Sequence, residues 1–226
     1  MNNMNNINIT GCKGITVTCH AGAMNTENNT AASIEKLIGL DAEIVEFDVS
    51  FRPDGTPVMI HKEKPESDEG ELISKALEVV AKSGTCKINL DLKNTSNLPV
   101  LEKLIKEYKL FDRVFYTGVS ADWVDAVKST STIPYYLNHA ITEAQAKDSK
   151  EAQAVADKAK ALGAIGINSC FTGGSRQFTD IMHGNGLLVS YWTPNTPEDI
   201  EKVIAFAPDN ITSEHPDLAA ELLQKA

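Results

Sequence analysis

Short runs of β-branched and apolar residues alternate with longer amphipathic stretches about eight times along this chain, and that beat constrains the fold more than any single residue does. Strands are predicted over 15–19, 43–51, 57–61, 86–93, 114–119, 133–137, 164–168, 187–192 and 210–213. Helices are predicted over 30–40, 72–83, 98–108, 121–129, 143–162, 176–183 and 217–225, with one more opening at Thr196-Pro197-Glu198-Asp199, where a hydroxyl cap, a first-turn proline and two acids coincide. The 98–108 stretch carries Leu101, Leu104, Ile105 and Tyr108 on one side, and 143–162 carries Ala152, Val155, Ala156, Ala159 and Leu162 before stopping at Gly163. No Gly/Pro/Ser-rich linker divides the series. Strands alternating with helices call for a parallel sheet covered by helices. A closed (β/α)8 TIM barrel takes ~250 residues, with ~200 as a floor, so 226 residues suffice if the loops are short. The competitor is a doubly wound open sheet. After the first strand, however, Cys19-His20-Ala21-Gly22-Ala23 offers one glycine instead of a phosphate-binding fingerprint. The expectation is therefore an α/β chain forming one barrel domain over 1–226, with 1–11 as a frayed N-terminus.

Charge narrows the partners. Lysines and arginines number 21 against 31 acids, a net charge of −10, and no basic stripe interrupts the acidity. Such a chain is poorly suited to nucleic acid or to an anionic membrane surface. No apolar run reaches transmembrane length. The polar start, Met1-Asn-Asn-Met-Asn-Asn, lacks the basic and apolar regions of a signal peptide. Cys12, Cys19, Cys86 and Cys170 show no metal-knot spacing and read as free thiols, so a cytoplasmic location is expected.

Three strands place polar residues on one face. In 43–51, Val45, Phe47 and Val49 alternate with Glu46 and Asp48; in 86–93, Ile88, Leu90 and Leu92 alternate with Asn89, Asp91 and Lys93; in the first, Thr16, Thr18 and His20 share a side. Side chains two apart point the same way. Each polar face ends in ionisable groups at the strand's C-terminal end, where barrel active sites are built. Burying Glu46, Asp48 and Asp91 side by side is costly without a countercharge. Three oxygen donors without a thiolate suit one hard divalent cation, Mg²⁺ or Ca²⁺; the plainer reading has the acids solvated or paired with Lys93. His20 and His61 stand at strand ends beside this cluster and fit paired acid–base work. His139, His183 and His215 lie in weaker contexts. Cation, lysine and histidine pair together describe a site for an anionic ester, most simply a phosphodiester. A Schiff-base barrel using Lys93 would leave the histidine pair unexplained.

The ordered pieces resemble a known family. His20-Ala21-Gly22, Thr26-Glu27-Asn28, Glu46-Phe47-Asp48-Val49, Asp54-Gly55-Thr56-Pro57-Val58 and His61 are similar to the N-terminal signature of glycerophosphodiester phosphodiesterases, which reads His-Arg-Gly, Pro-Glu-Asn-Thr, Glu-x-Asp, Asp-Gly and His-Asp. Asn89-Leu90-Asp91-Leu92-Lys93 resembles that family's Ile-Glu-x-Lys strand. Val189-Ser190-Tyr191-Trp192-Thr193-Pro194-Asn195 resembles its Val-x-x-Trp-Thr-Val-Asn strand, and Ile211-Thr212-Ser213-Glu214-His215-Pro216 its Ile-x-Thr-Asp-x-Pro ending. The stretch from about 100 to 185 carries no motif.

The resemblance implies a barrel of the phospholipase-C-like phosphodiesterase type that hydrolyses a small glycerophosphodiester or related phospholipid-derived substrate. It implies Glu46, Asp48 and Asp91 as cation ligands, His20 and His61 as general acid and base, Lys93 on the phosphate and Trp192 lining the pocket. There are departures. Ala21 stands where the family has arginine, Lys62 follows His61 in place of Asp, Thr26 replaces the proline and Asn29 the final threonine of Pro-Glu-Asn-Thr. Only 29 residues separate His61 from Asp91, which leaves little room for the family's inserted cap. Lys62 is the expected substitute for the missing positive charge. The alternative function is a barrel of weakened turnover that binds a phosphorylated ligand. The alcohols on the phosphate and the oligomeric state are not readable from the sequence.

Overall fold

A computed structural model describes residues 9–226. Eight parallel strands close into a barrel: β1 (Thr16–Cys19), β2 (Ile44–Phe51), β5 (Lys87–Leu92), β6 (Val114–Val119), β7 (Tyr135–Asn138), β8 (Gly166–Cys170), β9 (Leu188–Trp192) and β10 (Asn210–Ser213). Pairing of Thr18 with Ile44 and Cys19 with Val45 joins the first two strands, while Thr16 to Cys19 pair with Asn210 to Ser213 on the other side. Closure rules out the open doubly wound sheet. Two short antiparallel strands, β3 (Pro57–Met59) and β4 (Glu71–Leu72), extend the far end of β2.

The helices are α1 (Ala31–Ile38), α2 (Ile73–Lys82), α3 (Leu98–Glu107), α4 (Val124–Thr130), α5 (Glu143–Lys147), α6 (Ser149–Leu162), α7 (Arg176–Gly184), α8 (Pro197–Phe206) and α9 (Pro216–Lys225). The core lies between strands and helices. Val17, Val45, Val49, Ile88 and Leu90 on the strands and Leu77, Leu101, Ile105, Phe178 and Ile200 on the helices are wholly removed from solvent. Burying a side chain of this size contributes roughly 1.5–3 kcal/mol.

Local chemistry sets the helix boundaries. Thr196 caps α8 by accepting from the Asp199 N–H, as its sequence signal predicts. Thr30 likewise caps α1 through Ser33. The single helix expected over 143–162 is instead two, because the Asp148 carboxylate accepts from the backbone N–H groups of Lys150 and Glu151. That contact holds Asp148 in an extended conformation, ending α5 and opening α6. Gly163, in the left-handed region, closes α6 as expected. The expected fraying over 1–11 falls largely outside the described residues; Ile9, within them, is fully buried, and the Gly11 N–H donates to Glu43.

Candidate active site

The inner barrel face is polar at its C-terminal mouth because alternation on β2 and β5 sends the apolar residues outward. Register then does what spacing could not. Glu46 lies opposite Asn89, and Asp48 directly opposite Asp91. One carboxylate oxygen from each of Glu46, Asp48 and Asp91 lies within 4.8 Å of the others. Glu46 and Asp48 are each 5% exposed. Burial, and then the charges of Asp48 and Asp91, push the Glu46 carboxyl well above the usual range; the Ala21 N–H, donating at 2.8 Å, and Lys93 pull the other way. Such crowding of acids is relieved by a cation, and an all-oxygen donor set suits a hard one.

Lys93 supplies part of that relief. Its Nζ lies 2.8 Å from Asp48 Oδ1 and also pairs with Asp91. Burial alone would lower its pKa, but the two carboxylates outweigh burial and raise it, so the ammonium stays charged. Asp91 also accepts from Thr117 at 2.8 Å.

The two histidines flank the acids. His20 Nδ1 lies 2.8 Å from the Ala21 carbonyl, with Nε2 4.0 Å from Glu46 Oε2. His61 Nδ1 lies 3.2 Å from Asp48 Oδ1. A carbonyl or a carboxylate accepts only, so in each neutral ring Nδ1 carries the proton and Nε2 presents its lone pair. His61 is the more open, its side chain 76% exposed against 34% for His20.

A cavity of about 260 Å³ gathers His20, Glu46, Asp48, His61, Asp91, Lys93 and Trp192. Lys62 is not among its lining residues. Its ammonium is engaged by Glu69 at 2.6 Å on the surface, so the structure does not bring the expected substitute for arginine to the cavity. The remaining histidines also lie elsewhere: His139 bonds Gln145, His183 bonds Asp209, and His215 precedes α9.

Sequence reasoning missed several lining groups, namely Thr117, Asn138, Asn168, Thr193 and Thr212. Polar residues at the strand ends of a barrel were the available signal; Thr117, Asn138 and Asn168 fall in the motif-free middle of the chain, whereas Thr193 and Thr212 lie within the two C-terminal motif stretches. The Gly118 N–H donates to Asn138 Oδ1, which also accepts from Asn168 Nδ2, both at 3.0 Å. Gly118 sits at φ +76°, and a Cβ there would lie 2.4 Å from the Leu92 carbonyl, so only glycine brings this backbone so close to Asp91.

No family model matches the chain, and no curated protein matches it either. Solved structures do. A glycerophosphodiester phosphodiesterase from Parabacteroides distasonis superposes with a TM-score of 0.73 at 17% identity, covering 97% of this chain and 99% of that one. An Oleispira antarctica phosphodiesterase in complex with the product sn-glycerol-3-phosphate gives 0.75 at 17% identity, over 93% and 96% of the two chains. A Silicibacter pomeroyi protein, proposed to be a glycerophosphoryl diester phosphodiesterase, gives 0.76 at 18% identity, over 96% of both. The chain thus has the TIM-barrel fold of glycerophosphodiester phosphodiesterases. Among the described residues no helix is long and apolar enough to cross a membrane.

Proposed function

We propose that this barrel is a cation-dependent phosphoric diester hydrolase acting on a glycerophosphodiester or a related phospholipid-derived ester. The observation that carries the reading is the convergence of three carboxylates, two histidines, Lys93 and Trp192 on one cavity at the C-terminal mouth. The likeness of fold to a phosphodiesterase that holds sn-glycerol-3-phosphate supports the substrate class.

Glu46, Asp48 and Asp91 would hold one divalent cation, Mg²⁺ or Ca²⁺. Bound there, the cation neutralises phosphate charge and draws electron density from phosphorus. Lys93 adds an ammonium for a phosphate oxygen. The unprotonated Nε2 of one histidine takes the proton of the attacking hydroxyl or water, and the other, once protonated, gives a proton to the departing alkoxide. The resemblance favours His20 as the acid and His61 as the base, while the Nδ1 contacts to the Ala21 carbonyl and to Asp48 leave the Nε2 of both rings free for either role. Trp192, 38% exposed at the end of β9, offers an apolar wall to the alcohol.

A second reading, a weakly catalytic barrel that binds a phosphorylated ligand, draws on one observation. Lys62 is diverted to Glu69 and Ala21 contributes only a methyl group, so among the described lining residues Lys93 is the lone lysine or arginine. Turnover of a chromogenic phosphodiester with Mg²⁺ or Ca²⁺, against a chelated control, separates the two. Cation-dependent turnover supports the enzyme; tight binding of a phosphate monoester without turnover supports the binder. A panel of glycerophosphodiesters and lysophospholipids then identifies the alcohol.

A further inference from the structure

Asp48 is held from outside the cavity by a residue that neither strand alternation nor the cation set assigns to the site. The β1–β2 pairing stops at Cys19 and Val45, so the Asp48 N–H lies past the end of the neighbouring strand. Asn29, the last loop residue before the Thr30 cap of α1, meets it there. Its Oδ1 accepts from the Asp48 N–H at 2.9 Å, and its Nδ2 donates to Asp48 Oδ2 at 2.7 Å. The backbone N–H can only donate, so it fixes which end of the amide is oxygen and leaves the nitrogen facing the carboxylate. Asn29 pays for this position with a left-handed backbone, φ 59°, which asparagine tolerates better than most residues. With Oδ2 engaged by Asn29, Asp48 turns Oδ1 to Lys93 and His61.

We propose that Asn29 is a positioning residue whose two-point clamp on Asp48 sets the divalent-cation affinity of the Glu46–Asp48–Asp91 set. The inference rests on the cation reading of the proposed function. A ligand carboxylate fixed in one rotamer binds without first losing that freedom, and removing a hydrogen-bond partner behind a ligand weakens metal binding by ~10–100-fold.

Asn29→Gly suits φ 59° and deletes both hydrogen bonds, and Thr30→Ala loosens the adjacent helix cap without touching Asp48. Mg²⁺ and Ca²⁺ are titrated calorimetrically into the parent chain and both variants, with Tm and circular dichroism recorded in chelator. The expected result is a ~10–100-fold weaker Kd for Asn29→Gly with its fold retained, and a lowered Tm with parental affinity for Thr30→Ala. Equal affinities in the parent and Asn29→Gly overturn the proposal and leave the cation reading standing. Equal losses in both variants overturn it as well, since loop loosening would then be the cause. Loss of the fold in Asn29→Gly also counts against it, because the clamp would then be structural. A parent chain that binds neither cation removes the cation reading and this inference together.

Discussion

Lys93 Nζ sits 2.8 Å from Asp48 Oδ1, so a cation of the chain itself already engages an oxygen that a divalent ion would need. Three acids against one ammonium leave the cluster short of positive charge, and burial, with the charges of Asp48 and Asp91 behind it, holds the Glu46 carboxyl well above its usual range. A cation held among the three acids, as proposed, would relieve that shortage.

Adding Mg²⁺ or Ca²⁺ is therefore expected to stabilise the fold. At 100 times Kd the gain is about 2.7 kcal/mol, a rise in Tm of roughly 5–10 °C for a chain of this size. Differential scanning calorimetry with and without chelator measures it, and Asp91→Asn should abolish most of the rise. A shift that survives in Asp91→Asn would place the cation elsewhere.

His20→Ala and His61→Ala are each expected to lower turnover by ~10²–10⁴-fold. Neither ring is part of the core, so far-ultraviolet circular dichroism and Tm should stay close to the parent. Near-normal turnover by His61→Ala on any good substrate would end its assignment as base.

Lys62→Ala should leave KM within about twofold, because the Lys62 ammonium is tied to Glu69 outside the cavity. Ala21→Arg should lower KM several-fold on glycerophosphodiesters, since a charge-assisted bidentate contact is stronger than a neutral hydrogen bond. Steady-state kinetics on both variants decide the matter; a large rise in KM for Lys62→Ala would return that residue to the phosphate.

Far from the cavity, Glu102 ties α3 to the loop before β7. Its carboxylate accepts from Ser131 Oγ at 2.6 Å, from the Thr132 N–H at 2.7 Å and from Lys106 Nζ at 2.5 Å. Burial alone would raise its pKa, but these donors outweigh it and hold the carboxyl down at about 2. A depressed acid stabilises the fold fully above its unfolded pKa of about 4.3, and the contribution is lost as pH falls from there towards about 2. Glu102→Gln should cost roughly 2–3 kcal/mol at pH 7. Urea titrations of both chains at pH 7 and pH 3 check this: the difference between them should shrink at the lower pH, and a constant difference would rule out the ion as its source.

Much of this was legible in the chain. The strand–helix beat, the shared inward face of Glu46 and Asp48, and the Thr196 helix start are local properties, set by a period of two or 3.6 residues and by caps within one turn. Histidines at strand ends were visible in the same way. The break at Asp148 is also local, but the apolar stripe through 152–162 masks it in the sequence, while in the fold the Asp148 carboxylate captures two backbone donors.

What only tertiary structure decided are relations between elements. Asp48 meets Asp91 because β2 and β5 pair in one register, and a slip of one residue would send one of them into the helix layer. Closure of β1 on both β2 and β10 set Asn138 and Asn168 across the mouth from the acids. Asn29 reaches Asp48 because β1 ends early, and Lys62 turns to Glu69 because the 60–70 loop folds back on itself. The chain alone determined which residues face inward. Which of them meet was decided by register and closure, and these follow from burying the whole helix layer at once.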